Sequence, residues 1–334
     1  MARHSRLSPA VDSSRPVVVL TRRLPEAVER HAAELFDVRV NESDAPMSPA
    51  ALRDAMTSAD ALVPTVSDPI PADVLTTIPR RVKIIANYGV GYNNIDIATA
   101  SRLGIVVTNT PDVLTDDTAD LTLALVLMAC RRVEEGGREL RAGKWTGWRP
   151  THLLGTRVTG KTLGILGLGR IGRAVAKRAH FGFGMRVIYF DPPVPIGEAK
   201  SLGASPRASV EEVLEGSDIV TLHMPSSPET RGLIDAERLA RMRQHAFLVN
   251  TARGDVIDEG ALVAALRSGT IAGAALDVYP NEPHVSPELL ALPNVVLLPH
   301  IGSATVESRV AMGERALANL VAFFAGRTPP DLVG

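Results

Sequence analysis

The sequence predicts an α/β protein made of two doubly wound parallel-sheet domains, and three observations carry that expectation. Short β-branched runs alternate with helical stretches from Pro16 to Ala86. The same rhythm resumes more strongly from Lys161 to Leu298, and 334 residues exceed what one hydrophobic core usually serves. Charge and apolar content add exclusions. With 37 acidic against 36 basic residues, the chain has no polyanion-binding field, so neither nucleic acid nor an anionic membrane is an expected partner. The densest apolar stretch, Leu121 to Cys130, is about half of the ~20 residues a bilayer span requires. Cys130 is the single cysteine, which excludes an intrachain disulfide and fits a reducing compartment, with a cytoplasmic location as the default.

Taken in order, residues 1–15 are polar, bear Pro and Ser, and lack an apolar h-region; they read as a disordered leader. "VVVL" at 17 to 20 begins the first sheet. A helix follows Pro25, a strand "DVRV" spans 37 to 40, a helix starts at Ser48, and "ALVP" forms the next strand. A helix after Pro71 leads to "VKIIA" at 82 to 86. One long helix then runs from about Asp117 to Ala142, apolar through "LTLALVLMA" and charged afterwards. A last amphipathic helix spans Val306 to Phe324. Pro111 in "NTPD" interrupts the pattern and marks a boundary. If the last helix returns to the first domain, that domain comprises 16–109 with 301–334, and 110–300 forms an insertion between hinges near Thr110 and Pro299.

The second alternation opens on "GLGRIG". Gly167 suits a tight turn, Gly169 a close approach of backbone to a pyrophosphate, and Gly172 close packing of strand on helix. The N-terminus of the following helix then faces the phosphates. A second strand, "MRVIYF", ends in Asp191, whose carboxylate suits ribose hydroxyls and repels a 2'-phosphate. NADH is therefore expected over NADPH.

Three later apolar runs end in polar groups: "AFLVNTARGDVID", "AGAALDVYPNEP" and "NVVLLPHIGS". In a doubly wound sheet the carboxyl ends of the strands line the ligand crevice, so Arg253, Asp277, Glu282 and His300 can converge. Reduction of a 2-oxo acid by a nicotinamide needs a cation for the substrate carboxylate and an acid for the carbonyl oxygen. Arg253 offers the planar fork of donors, and His300 offers the proton. A neighbouring carboxylate favours the charged imidazole, and Glu282 is the candidate for it, with His284 as a rival ring two residues away. Asp258 reads as the N-cap of "EGALVAALRSG" and has no part in this chemistry. In the first domain, Gly89, Val90 and Gly91 of "ANYGVGYNNID" offer backbone N–H groups for a carboxylate, or form a plain strand-to-helix turn.

These motifs resemble the D-isomer-specific 2-hydroxyacid dehydrogenases, and "ANYGVGYNNID", "TNTPDVLTDDTADLTLAL" and "GKWTGWRP" resemble more narrowly their glyoxylate/hydroxypyruvate reductase (glycerate dehydrogenase) branch. The resemblance runs from about Val17 to the C-terminus. It implies two flavodoxin- or Rossmann-like domains with a cleft between them, a homodimer, and reduction of glyoxylate and hydroxypyruvate to glycolate and D-glycerate. The family's catalytic residues fall on Arg253, Glu282 and His300. Its cofactor contacts fall on the glycine loop with Leu168, Arg170 and Ile171, on Asp191, on Thr251, Ala252 and Arg253, on Asp277, and on Thr118. The substrate-carboxylate loop falls on Gly89 to Gly91. Trp148 matches a tryptophan that reaches into the neighbouring subunit's site, and plain interface packing is its alternative role. The animal reductases of the branch that the chain resembles prefer NADPH and lack an acid at the end of the second strand, where this chain has Asp191. Arg22 and Arg23 keep a substrate phosphate open, and lactate and phosphoglycerate dehydrogenases, or a nucleotide-sensing protein on the same fold, remain alternatives.

Overall fold

The computed structural model describes residues 15–333, apart from the side chains of Ile196 and Glu198. The leader expected at 1–15 thus lies, except for Arg15, outside the described residues. Contacts divide the chain into unit 1, up to Pro111 and again from Arg309, and unit 2, Asp112–Ser308.

Unit 1 alternates β1 (Val17–Leu20), α1 (Glu26–Leu35), β2 (Asp37–Val40), α2 (Pro49–Ser58), β3 (Ala61–Val63), α3 (Ala72–Leu75), β4 (Ile84–Ala86), α4 (Ile97–Arg102) and β5 (Val106–Thr108). The strands form one parallel sheet in the order β2-β1-β3-β4-β5. The short helices start where side chains satisfy their free N–H groups: Ser48 accepts from Ala51, with Pro49 in the first turn, and Asp96 accepts from Thr99. Leu52, Met56, Leu62, Ile70 and Ile85 are fully buried and fill one face. Strand β5 was absent from the expected run. It is only three residues long, too short to show a period-two pattern, and follows the turn at Gly104, φ 68°.

Unit 2 begins with α5 (Thr115–Cys130) and α6 (Val133–Arg141). The single helix expected from Asp117 to Ala142 is thus two helices. Arg132 is left-handed at φ 52°, and the N–H of Thr156 takes the Cys130 carbonyl at 2.7 Å, drawing the end of α5 away from further helical pairing. The break falls where chemistry changes: Leu125 and Val126 of α5 are buried, whereas α6 buries no residue.

The rest of unit 2 is β6 (Thr162–Leu166), α7 (Arg170–Phe183), β7 (Arg186–Phe190), α8 (Ile196–Ser201), β8 (Ala204–Pro206), α9 (Val210–Gly216), β9 (Ile219–Leu222), α10 (Ala236–Arg241), β10 (Phe247–Asn250), α11 (Glu259–Ser268), β11 (Gly273–Leu276), α12 (Pro287–Leu290) and β12 (Val295–Leu297). All seven strands are parallel, in the order β12-β11-β10-β9-β6-β7-β8. One face packs on α5 and α7 through Leu125, Val126, Val175 and Ala176, and the other on α9, α10 and α11 through Val213, Leu239 and Leu262. Burial on both faces explains why these strands read as continuous apolar runs.

Helix α13 (Val306–Phe324) carries the chain back into unit 1. The return falls at Ser308–Arg309, later than the 300/301 boundary expected from the sequence. The carboxylate of Asp117 accepts the Thr305 hydroxyl at 2.9 Å and also the Ser308 hydroxyl, which ties 305–308 to the start of α5. Within unit 1, Gly313 of α13 lets the helix meet Val28 closely; a Cβ there would lie 2.5 Å from the valine methyls.

Candidate active site

Because all strands of unit 2 run in one direction, their carboxyl ends share one edge, and that edge gathers most of the residues singled out in the sequence. The turn from β6 to α7 holds Gly167 at φ 89°, a conformation that favours glycine. A Cβ at Gly172 would lie 2.2 Å from the Gly167 carbonyl oxygen, so the helix can start this close to the strand only with glycine there. Gly169 differs: nothing lies within 4 Å of its absent Cβ. Helix α7 has no side-chain N-cap and no acid in its first turn, where Arg170 and Ile171 lie, so its free N–H groups and positive end are left for an anion. Asp191, directly after β7, accepts the Leu168 N–H at 2.6 Å, which couples the ribose-binding candidate to the glycine turn. A dinucleotide pyrophosphate with its ribose beside Asp191 fits this cradle.

At the end of β10, Asn250 holds the next turn by accepting the Ala252 N–H at 3.0 Å and donating to the Arg253 carbonyl at 2.8 Å. Gly254 is required here, since a Cβ would lie 1.9 Å from the Tyr279 carbonyl carbon. The Arg253 guanidinium donates to the Ala252 carbonyl and has no carboxylate within ion-pair distance among the described residues. Burial pushes its pKa below the usual arginine value, against the attraction of Glu282 and Asp255. It is a cation held ready for an anionic partner.

His300, after β12, stands at φ 53° and its Nδ1 lies 2.7 Å from Glu282 Oε2. The ring paired with Glu282 is therefore His300 and not His284. The other Glu282 oxygen accepts the Tyr279 N–H at 3.0 Å. Burial acts to raise the Glu282 pKa, but His300, the Tyr279 N–H and the Arg253 charge outweigh it and hold the carboxyl below its ordinary range. Asp277, after β11, accepts the N–H groups of Ile301 and Gly302, each at 2.8 Å. Burial raises its pKa, partly offset by those N–H groups and by His300.

Other candidates have partners of their own. Thr118 donates to the Gly302 carbonyl at 3.2 Å, and Thr251 shares a hydrogen bond with Thr122 at 2.9 Å. Asp258 caps α11 by accepting from Ala261, as expected. Cys130 is buried, and burial pushes its thiol up to about 12. Gly89, Val90 and Gly91 lie in unit 1, where the Thr110 N–H, Asn109 Nδ2 and Asn87 Nδ2 take their three carbonyls. That pattern turns the carbonyls inward, and among the described residues the N–H groups of Val90 and Gly91 have no acceptor. Arg22 is engaged by Asp44, and Arg23 by Glu29 and Glu42. Trp148 lies beyond α6 and is 83% exposed.

The sequence reading missed the strand end at His223. This ring bonds Thr221 at 2.9 Å, and burial lowers its pKa to about 3, keeping it neutral. Its backbone packs on Gly167, where a Cβ would lie 2.8 Å from the His223 carbonyl carbon. The signal was present, because "VTLHMPSS" also ends an apolar run in polar groups.

Fold and cradle together define a dinucleotide-binding protein of the doubly wound α/β class. Residues 123–302 match the family model of the D-isomer specific 2-hydroxyacid dehydrogenase NAD binding domain. The chain is 47% identical over 323 residues to the glyoxylate reductase of Pyrococcus furiosus, covering 96% of this chain and 95% of that one. It is also 47% identical over 322 residues to the glyoxylate reductase of Korarchaeum cryptofilum, covering 96% of each. Among solved structures, the NADPH-dependent glyoxylate/hydroxypyruvate reductase of Sinorhizobium meliloti, in complex with NADP and malonate, superposes with a TM-score of 0.86 at 35% identity. That match covers 96% of this chain and 97% of that one. The chain belongs to the D-isomer-specific 2-hydroxyacid dehydrogenases, and it is an NAD(P)-dependent enzyme of that class.

The two glycines separate binding from folding. Gly169→Ala should leave stability within about 0.5 kcal/mol of the parent, because its Cβ meets open space, yet weaken dinucleotide binding at least about tenfold. Gly172→Ala should lose both. Calorimetric titration with NADH beside a denaturant melt reads the difference, and unchanged affinity in Gly169→Ala would remove the loop from phosphate binding.

Proposed function

We propose that the chain reduces glyoxylate and hydroxypyruvate to glycolate and D-glycerate with NADH, His300 serving as general acid. The observation that carries this reading is the His300–Glu282 pair beside the uncompensated Arg253 on the edge that holds the glycine cradle. When bound, the nicotinamide supplies hydride to the carbonyl carbon. Arg253 binds the 2-oxo carboxylate and polarises the carbonyl through its fork of donors. Glu282 engages Nδ1 of His300, which orients the ring and leaves Nε2 to protonate the carbonyl oxygen. The free N–H groups of Val90 and Gly91 are proposed donors to the substrate carboxylate. Thr251, Ala252, Asp277 and Thr118 are proposed cofactor neighbours.

Small unphosphorylated acids are favoured because Arg22 and Arg23 already face three carboxylates. Asp191 favours NADH, since a carboxylate accepts from ribose hydroxyls and repels a 2'-phosphate. The names of the relatives support glyoxylate as substrate. The chain is also proposed to act as a homodimer. Val133, Leu140, Trp145, Trp148 and Leu154 are all more than half exposed within one short stretch, an apolar surface that a second copy would cover. In this reading Trp148 narrows the partner's pocket. Sedimentation should give the mass of two chains, and Trp148→Asp should weaken that association; a monomeric parent would refute the dimer.

Two substitutions test the acid. His300→Gln should lower kcat for glyoxylate reduction by roughly 10²-fold or more. Glu282 is held ionised below the ordinary carboxylate range, so Glu282→Gln removes a full negative charge beside the ring at neutral pH. The protonated acid is then less favoured, and the alkaline limb of kcat/KM should move to lower pH by about one unit. A near-parental kcat in the first variant, or an unshifted limb in the second, would break the assignment.

A further inference from the structure

We propose that Asn87 is the positioning residue of the substrate-carboxylate loop: its side-chain amide, held by Asn94, fixes the Gly89 and Gly91 carbonyls and thereby aims the Val90 N–H at the anion. This rests on the reading above that the loop N–H groups receive the substrate carboxylate. Asn87 directly follows β4, is fully buried, and donates its backbone N–H to the Thr108 carbonyl of β5 at 2.9 Å. Its side chain is thus anchored on the sheet. The Nδ2 group donates to the Gly89 carbonyl at 3.2 Å and to the Gly91 carbonyl at 2.9 Å. Oδ1 accepts from Asn94 Nδ2 at 3.3 Å. That donor fixes which way round the amide stands, because the flipped amide would set its oxygen against two carbonyls and its nitrogen against an N–H.

A trans peptide unit points its N–H opposite to its carbonyl, so whatever holds the Gly89 carbonyl also sets the direction of the Val90 N–H. Asn87 does this from the buried side, with the Thr110 N–H as a second donor to the same carbonyl at 3.1 Å. Asn94 is itself fixed, since its Nδ2 also lies 3.0 Å from the Thr65 carbonyl and 3.1 Å from the Asp68 carbonyl. Asp68 is fully buried, and its Oδ2 accepts the Thr65 N–H and hydroxyl at 2.8 Å each and the Thr21 hydroxyl at 2.6 Å. The relay from Asp68 through Asn94 to Asn87 therefore joins the carboxyl ends of β1, β3 and β4 to the loop. Gly89 completes the fit: a Cβ there would lie 2.4 Å from a Val66 methyl, so the loop packs on residues 65–68 only with glycine.

Asn87→Ala, Asn87→Asp and Asn94→Ala in the full chain test the relay, with denaturant melts to show which variants fold. Asn87→Ala should raise KM for glyoxylate about tenfold while kcat stays within about threefold and the calorimetric Kd for NADH within about twofold, because carboxylate binding alone is weakened. Asn87→Asp keeps the size and the acceptor for Asn94 but removes both donors, and should raise KM at least as much. Asn94→Ala should raise KM about threefold in the parent and leave it unchanged in the Asn87→Ala background, since the two residues act through one bond. A KM within about twofold of the parent in folded Asn87→Asp or Asn94→Ala, a loss confined to kcat, or independent effects in the double variant overturns the proposal. Absence of turnover in the parent would instead refute the functional reading. Calorimetry with oxalate on the NADH-bound chain would then still decide the role of Asn87: binding about tenfold weaker in Asn87→Ala supports it, and equal binding overturns it.

Discussion

The carboxylate of Asp277 accepts the N–H groups of Ile301 and Gly302, and this clamp fixes where His300 stands. His300 occupies a left-handed conformation that costs a non-glycine residue about 1–3 kcal/mol. Two hydrogen bonds to a charged acceptor contribute about 1.5–3 kcal/mol each, enough to hold the strained residue in place. Thr118 secures the Gly302 carbonyl from the side of α5, and the Tyr279 hydroxyl donates to the Leu298 carbonyl at 2.9 Å. The segment on both sides of the histidine is thus tied to the sheet.

Charge at this edge is arranged by burial and proximity. Arg253 loses solvation without gaining an ion-pair partner, whereas Glu282 is desolvated but compensated by His300, by Arg253 and by a backbone N–H. The small carboxylate substrate proposed above would complete the balance on the arginine side. Close backbone packing sustains the arrangement: Gly254 against Tyr279 and Gly167 against His223 bring neighbouring strand ends nearer than any side chain would allow.

Much of this was legible in the sequence, because the period of apolar runs reports a buried parallel sheet directly and each run of unit 2 ends in the group it presents. The glycine spacing, Asp191, the strand-end polar residues and the cap at Asp258 could be read locally. What escaped was set by contacts distant in sequence. The break after Cys130 arises from Thr156, and the chain's return at Ser308–Arg309 follows the tie from Asp117. The engagement of Arg22 and Arg23 by acids up to 22 residues away was equally invisible, yet it bears on which substrates are favoured.

Steady-state kcat/KM for glyoxylate, hydroxypyruvate, pyruvate and phosphohydroxypyruvate, each with NADH, tests the account most directly. Glyoxylate and hydroxypyruvate are predicted ahead of the other two by about tenfold or more, since Arg253 has no ion-pair partner among the described residues while Arg22 and Arg23 are engaged by carboxylates. A tenfold lead for phosphohydroxypyruvate or pyruvate would contradict it.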